Sequence, residues 1–122
     1  MRYSCGFTLL EVMISLFIAS LVLLGVTAAE IRALREARGI LYFNRAILLN
    51  ENMAEYLLVY GDASGYLRLW QHEVQRDLPD ASAAVTGLSP RFTISITWGG
   101  YDQVCHQSRA GLSGCVTYTI AA

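Results

Sequence analysis

The sequence predicts an α+β fold: a long N-terminal helix, its first half membrane-spanning, packed through its second half on a small antiparallel sheet. Three observations predict it. Residues 7–29 hold one charge, Glu11, and no proline. After Ala29 the pattern turns amphipathic without a break and continues to about Tyr60. The C-terminal part then alternates apolar and hydroxylated residues with a period of two, as half-buried strands do.

The apolar run sets the first element. At ~1.5 Å per residue, a helix over residues 7–29 crosses the ~30 Å hydrocarbon core of a bilayer. The run is too long for the core of an ordinary secretory signal. A carboxylate inside such a span costs roughly 2.5–3.5 kcal/mol at mid-bilayer, so Glu11 asks for a functional reason.

The helix is expected to continue into its amphipathic half. Ile31, Leu34, Leu41 and Leu48 recur at helical spacing, with Ile40, Ile47, Met53 and Leu57 widening the stripe. Glu30, Arg32, Arg35, Glu36, Arg38 and Arg45 occupy the other faces. Gly25 and Gly39 are the weak points of the helix. Gly61-Asp62-Ala63-Ser64-Gly65 ends it. A short helix follows at about 66–76, with Leu67, Trp70 and Val74 on one face and Leu78 continuing it; Pro79 stops it. Trp70 reads as core packing, and His72 as a surface residue.

Three strands complete the fold. Ala84-Val85-Thr86 predicts a short one before the turn at Gly87-Leu88-Ser89-Pro90. Residues 91–98 place Phe92, Ile94, Ile96 and Trp98 on one face and Thr93, Ser95 and Thr97 on the other. Val116, Tyr118 and Ile120 alternate with Thr117 and Thr119 in the last strand. Such a sheet packs one face on the long helix.

Gly6-Phe7-Thr8-Leu9-Leu10-Glu11-Val12 resembles the processing motif of type IV prepilins and of the pseudopilins of type II secretion. The resemblance implies cleavage after Gly6 by a prepilin leader peptidase and N-methylation of Phe7. It makes Glu11 the residue that assists assembly by pairing with the N-terminal amine of a neighbouring subunit. A buried pair offsets two charges together, where a lone one stays costly. A signal-anchor helix with Glu11 near the interface is the plainer alternative, but it leaves Gly6, Phe7 and Glu11 at these offsets unexplained. The chain then divides into a leader, 1–6, a transmembrane or fibre-core helix, 7–29, and a periplasmic domain, 30–122. Many pilins of this superfamily carry a proline in the first half of the helix; this chain has Ala28 there.

Processing also changes the charge and the cysteine count. The formal net charge of −1 arises from nine basic residues against ten acidic ones, and every basic one is arginine. Removing Arg2 leaves a side-chain total of −2. No basic tract exists to attract nucleic acid, and no nucleic-acid partner is expected. Cleavage discards Cys5 and leaves Cys105 and Cys115, an even pair in a compartment expected to be oxidising, which predicts a disulfide. Arg32, Arg35, Arg38 and Arg45 after the span outnumber Arg2 before it, which by positive-inside counting places the C-terminal part in the cytoplasm. The processing motif and the cysteine pair outweigh that count, so the N-terminus is expected inside and the domain outside.

Catalytic chemistry is not written in the chain. Asp102, His106 and Ser108 form a triad by residue type alone, and local proximity does not make its geometry. Cys105, His106 and Cys115 lack a paired spacing and a fourth ligand, so a disulfide is favoured over a metal site. No catalytic residue, metal site or cofactor is expected, and the protein is expected not to be an enzyme.

The second half is similar to PilV-type minor pilins, in its tryptophan-bearing short helix, Leu78-Pro79, and Phe92-Thr93-Ile94-Ser95-Ile96-Thr97-Trp98. This resemblance implies a subunit that starts or modifies type IV pilus assembly near the tip. Its partners would be the leader peptidase, major and minor pilins, a tip adhesin and inner-membrane lipid. An extracellular pilus location, and adhesion through the exposed loop, follow from the same resemblance. A minor pseudopilin is the alternative, and a tethered periplasmic enzyme or binding module the more distant one. In the resembling family a disulfide-bounded C-terminal region is the variable surface that meets partners.

Overall fold

A computed structural model of the chain describes residue 6, residues 8–100, residue 105 and residues 111–122. Its elements are α1 (Leu9–Tyr60), α2 (Leu67–Asp77), β1 (Ser82–Leu88), β2 (Arg91–Trp98) and β3 (Gly114–Ala121). Two compact units result, Met1–Leu34 and Arg35–Ala122. In the first unit no described residue is buried. In the second, a long helix and a three-stranded antiparallel sheet of order β1-β2-β3 enclose one core.

The helix presents a different face to the core from the one its largest side chains suggest. Its buried residues are Gly39, Ala46, Leu49, Asn50, Met53, Ala54 and Leu57. Ile31, Leu34, Ile40, Leu41 and Leu48 are exposed, which corrects the predicted stripe, while Met53 and Leu57 are indeed buried and Ile47 is half-buried. The reason is steric. Gly39 lets the Gly111 backbone approach the helix closely, and the small Ala46 and Ala54 are buried beside Leu49, Met53 and Leu57 in the core. Gly39 is therefore a contact point and not a weak one: a Cβ there would lie 3.0 Å from the Gly111 Cα.

The helix stops where glycine permits a left-handed residue. Gly61 has φ +67° and its N–H donates to the Leu57 carbonyl at 2.8 Å. The Asp62 carboxylate accepts hydrogen bonds from the Ser64 N–H and hydroxyl, which hold its pKa below the usual range. The Ala63 carbonyl accepts from the Tyr66 and Leu67 N–H groups and opens α2. Trp70, Val74 and Leu78 are buried, with Leu67 packed against them, as the sequence predicts. The Trp70 Nε1–H donates to the Leu49 carbonyl at 2.8 Å and fastens α2 to α1.

In the sheet, β2 buries Phe92, Ile94, Ile96 and Trp98 as its alternation requires. β1 is longer than the predicted 84–86. It pairs along its whole length with β2, and its edge is tied to α2 where Gln71 Nε2 donates to the Ala83 carbonyl at 2.9 Å. β3 sets Val116, Tyr118 and Ile120 opposite Ile96, Ile94 and Phe92. Val116 and Ile120 are buried, but Tyr118 stays half exposed because β3 is an edge strand. The other face is a ladder of hydroxyls: Ser82 meets Thr97 at 2.7 Å and Thr93 meets Thr119 at 3.4 Å.

One polar side chain sits in the apolar core. Asn50 is 2% exposed, and neither its Nδ2 nor its Oδ1 has a hydrogen-bond partner among the described residues. An unpaired buried amide is destabilising by about 1–3 kcal/mol, whereas a leucine of similar shape carries no such penalty. Asn50→Leu is expected to raise the thermal midpoint, by roughly 4–8 °C for each kcal/mol recovered. Tryptophan fluorescence of the full chain in detergent would record it; a lowered midpoint would mean that Asn50 has a partner in the folded protein.

Candidate functional site

The N-terminal end of α1 is built by a local hydrogen-bond arrangement. The Thr8 side-chain Oγ1 accepts from the Glu11 N–H at 3.3 Å, and the Thr8 carbonyl accepts from the Glu11 and Val12 N–H groups. Thr8 is thus the N-cap and Glu11 the third helical residue, the spacing of a capping box. Sequence reasoning passed over Thr8, although a threonine three residues before a glutamate at the head of an apolar run is a readable signal. The consequence for Glu11 is electrostatic. It lies in the first turn of α1, where the positive end of the helix dipole favours a carboxylate.

Around that carboxylate the span is otherwise self-satisfied. The Ser15 hydroxyl donates to the Glu11 carbonyl at 2.8 Å, Ser20 to the Phe17 carbonyl at 2.7 Å and Thr27 to the Leu23 carbonyl at 2.9 Å. Hydroxyls bonded back onto their own helix are compatible with lipid. Glu11 has no ion pair among the described residues. Gly6 is exposed, and among the described residues no atom lies within 4 Å of the place a Cβ would take. Phe7, Arg2 and Cys5 lie outside the described residues. Among the described residues, α1 is the one helix long and apolar enough to cross a membrane, and none of its apolar window is buried.

The cysteine pair lies elsewhere in the fold. Cys105 and Cys115 are disulfide-bonded, with Cα atoms 5.8 Å apart. Their sulfurs are therefore not thiolates available to a metal. The Thr117 hydroxyl donates to the Cys105 carbonyl at 3.3 Å, and the Trp98 Nε1–H donates to the Gly111 carbonyl at 3.0 Å. Gly114 is buried and the half-buried Gly111 meets Gly39, whereas Leu112 and Ser113 are exposed, as the sequence suggested for the loop. Asp102, His106 and Ser108 lie outside the described residues. Among the described residues, no group of three or more His, Cys, Asp or Glu gathers into a metal-binding cluster.

Residues 1–27 match the model of the prokaryotic N-terminal methylation motif. The match supports the type IV pilin superfamily. It covers the leader, the capped start of α1 and most of the apolar span, and it implies a prepilin peptidase as processing enzyme and pilin-type proteins as partners. Together with the unburied apolar helix it fits a membrane-anchored protein. No curated protein and no solved structure matches the chain.

Opening the Cys105–Cys115 bond frees the denatured chain from a short ring and is expected to lower stability by roughly 2–3 kcal/mol. Cys105→Ser should reduce the unfolding midpoint of the domain. A thiol titration of the processed wild-type protein that finds both sulfurs free would remove the basis for this expectation.

Proposed function

We propose that the chain is a minor pilin: a non-enzymatic subunit that helps start or modify type IV pilus assembly, in the manner of the PilV-type proteins. The observation that carries this reading is Glu11, a carboxylate without an ion pair among the described residues, in the first turn of an unburied apolar helix directly after the leader motif. The peptidase cuts after Gly6 and methylates Phe7. The N-terminus begins in the cytoplasm and the domain on the periplasmic side, where the Cys105–Cys115 bond can persist.

Assembly then turns on the lone carboxylate. In a bundle of such helices, Glu11 receives the amine of a neighbour's Phe7, and two charges that are separately costly in an apolar setting offset one another. The domain supplies the surfaces that distinguish this subunit from others. Its small core and hydroxylated outer face suit a structural module.

Gly6→Leu is expected to abolish processing, because a bulky side chain closes the approach to the scissile backbone. Intact-mass analysis of the purified protein decides: a wild-type protein that retains residues 1–6 would sink the assignment. Glu11→Val should insert into the membrane at least as well as wild type, since a charge leaves the span. Its recovery in sheared fibres should fall tenfold or more. If Glu11→Val were recovered from fibres at the wild-type level, the pairing role would be wrong.

A further inference from the structure

A run of charge begins where the apolar span ends. Residues 12–29 carry no charged side chain. At ~1.5 Å per residue they measure about 27 Å as a helix, close to the hydrocarbon thickness of a bilayer. Glu30 then opens a charged stretch in which Arg32, Arg35 and Arg38 follow Ala29 by three, six and nine residues. All three arginines are exposed on α1, and none has an ion pair among the described residues, although Glu36 lies one turn beyond Arg32. The next arginine, Arg45, comes sixteen residues past Ala29 and faces Asp77 at 3.9 Å.

Position along the chain, and not exposure alone, singles these residues out. Arg68 and Arg91 are exposed too, but they follow Ala29 by 39 and 62 residues. The headgroup layer adds about 5–7 Å beyond the hydrocarbon on each side of a bilayer. Helical rise carries Arg32 about 4.5 Å past Ala29 and Arg35 about 9 Å. Side chains on a helix lean toward its N-terminus, which in α1 is the direction of the span, and a long arginine stem lets the charged head stay in polar surroundings. Arg32 thus lies at headgroup level and Arg35 reaches back to it. Arg38, about 13.5 Å past Ala29, stands at the outer rim.

The group available at that level is a phosphate. A guanidinium is always charged and presents a fork of donors that two phosphate oxygens match. Three arginines against Glu30 and Glu36 leave residues 30–38 with a net charge of +1. Such a stretch is no polybasic tract that gathers anionic lipid from a distance; its contacts are short-range ones. At about 100° per residue the three arginines fan over roughly a third of the helix circumference, so they meet separate headgroups and do not converge on one.

We propose that Arg32 and Arg35 bind the phosphates of anionic phospholipid headgroups in the leaflet where the span ends, with Arg38 at the rim. The contact fixes the depth at which the chain sits in the membrane, and it belongs to the subunit before that subunit enters any fibre. It rests on the reading of the apolar half of α1 as a membrane span, and not on the pilus role. An arginine close to an anionic surface strengthens association about fivefold.

The test is native mass spectrometry of the full chain released by mild detergent from vesicles of phosphatidylcholine and phosphatidylglycerol in equal amounts. Wild-type protein is expected to retain phosphatidylglycerol over phosphatidylcholine by about fivefold or more. Arg32→Gln combined with Arg35→Gln should abolish that preference, whereas Arg68→Gln combined with Arg91→Gln should leave it intact. All four positions are exposed, and unchanged thermal midpoints would show that the variants fold. Equal retention of the two lipids by wild type overturns the proposal, as does a preference that survives the Arg32 and Arg35 changes. So does an equal loss in the Arg68 and Arg91 control, which would make the effect one of overall charge. Displacement of the retained lipid by inorganic phosphate would mark a free-anion site and also overturn it. Recovery of wild-type protein in the aqueous fraction without detergent sinks the membrane-span reading itself, while indifference to lipid charge in vesicle-bound protein sinks the headgroup contact alone.

Discussion

Everything that follows Tyr60 depends on one strip of α1, the face formed by Gly39, Ala46, Leu49, Asn50, Met53, Ala54 and Leu57. A three-stranded sheet is marginal unless its apolar face is covered. Here the sheet offers Phe92, Ile94, Ile96, Trp98, Val116 and Ile120, all buried in the one core to which the strip belongs. Small residues on the strip make this possible. Gly39 receives Gly111 at van der Waals limits, and Ala46 and Ala54 are buried where a longer side chain would push the layers apart. α2 and the disulfide-bearing segment attach to the same arrangement through the two indole N–H groups.

One helix thereby meets two environments with opposite demands. In the apolar half, the hydroxyls of Ser15, Ser20 and Thr27 return to their own backbone, and Glu11 has no ion pair among the described residues. In the domain half, Asn50 sits in the apolar core with its amide unpaired among the described residues. The two polar groups differ in kind. Glu11 is exposed at a helix start that favours its charge. Asn50 is closed off from any incoming group, so its effect falls on stability.

The parts of this fold legible in the sequence are those set by short-range periodicity. The β2 run from Phe92 to Trp98 could be read residue by residue, because strict alternation leaves one solution. The extent of α1 was equally plain, since no proline or paired glycine interrupts it. Its buried face was not, because pattern reading follows leucines and isoleucines, and this interface is built on glycine and alanine. Tyr118 misled for another reason: register gives its face but not how far an edge strand is covered. Within the candidate site, Gly6, Phe7 and Glu11 stood out because the motif they belong to is local in sequence. The Thr8 cap was equally local and was simply overlooked. The Tyr56–Tyr66 ring contact was not legible in the sequence, since Tyr56 lies on α1 and Tyr66 just before α2, and the two meet only once Gly61 has turned the chain.

The two tryptophans give the domain a built-in optical gauge. Trp70 and Trp98 are both 0% exposed, and each indole N–H is held by a different part of the chain. Trp70 is bonded to the Leu49 carbonyl, at the seam of the two helices, and Trp98 to the Gly111 carbonyl, on the segment the disulfide staples. No third tryptophan exists to blur the signal. Emission from one indole therefore follows the parting of α2 from α1, while emission from the other follows release of the C-terminal segment. With Trp70 or Trp98 replaced by phenylalanine, ordinary fluorescence could tell whether those two seams open together or one before the other, without an added label.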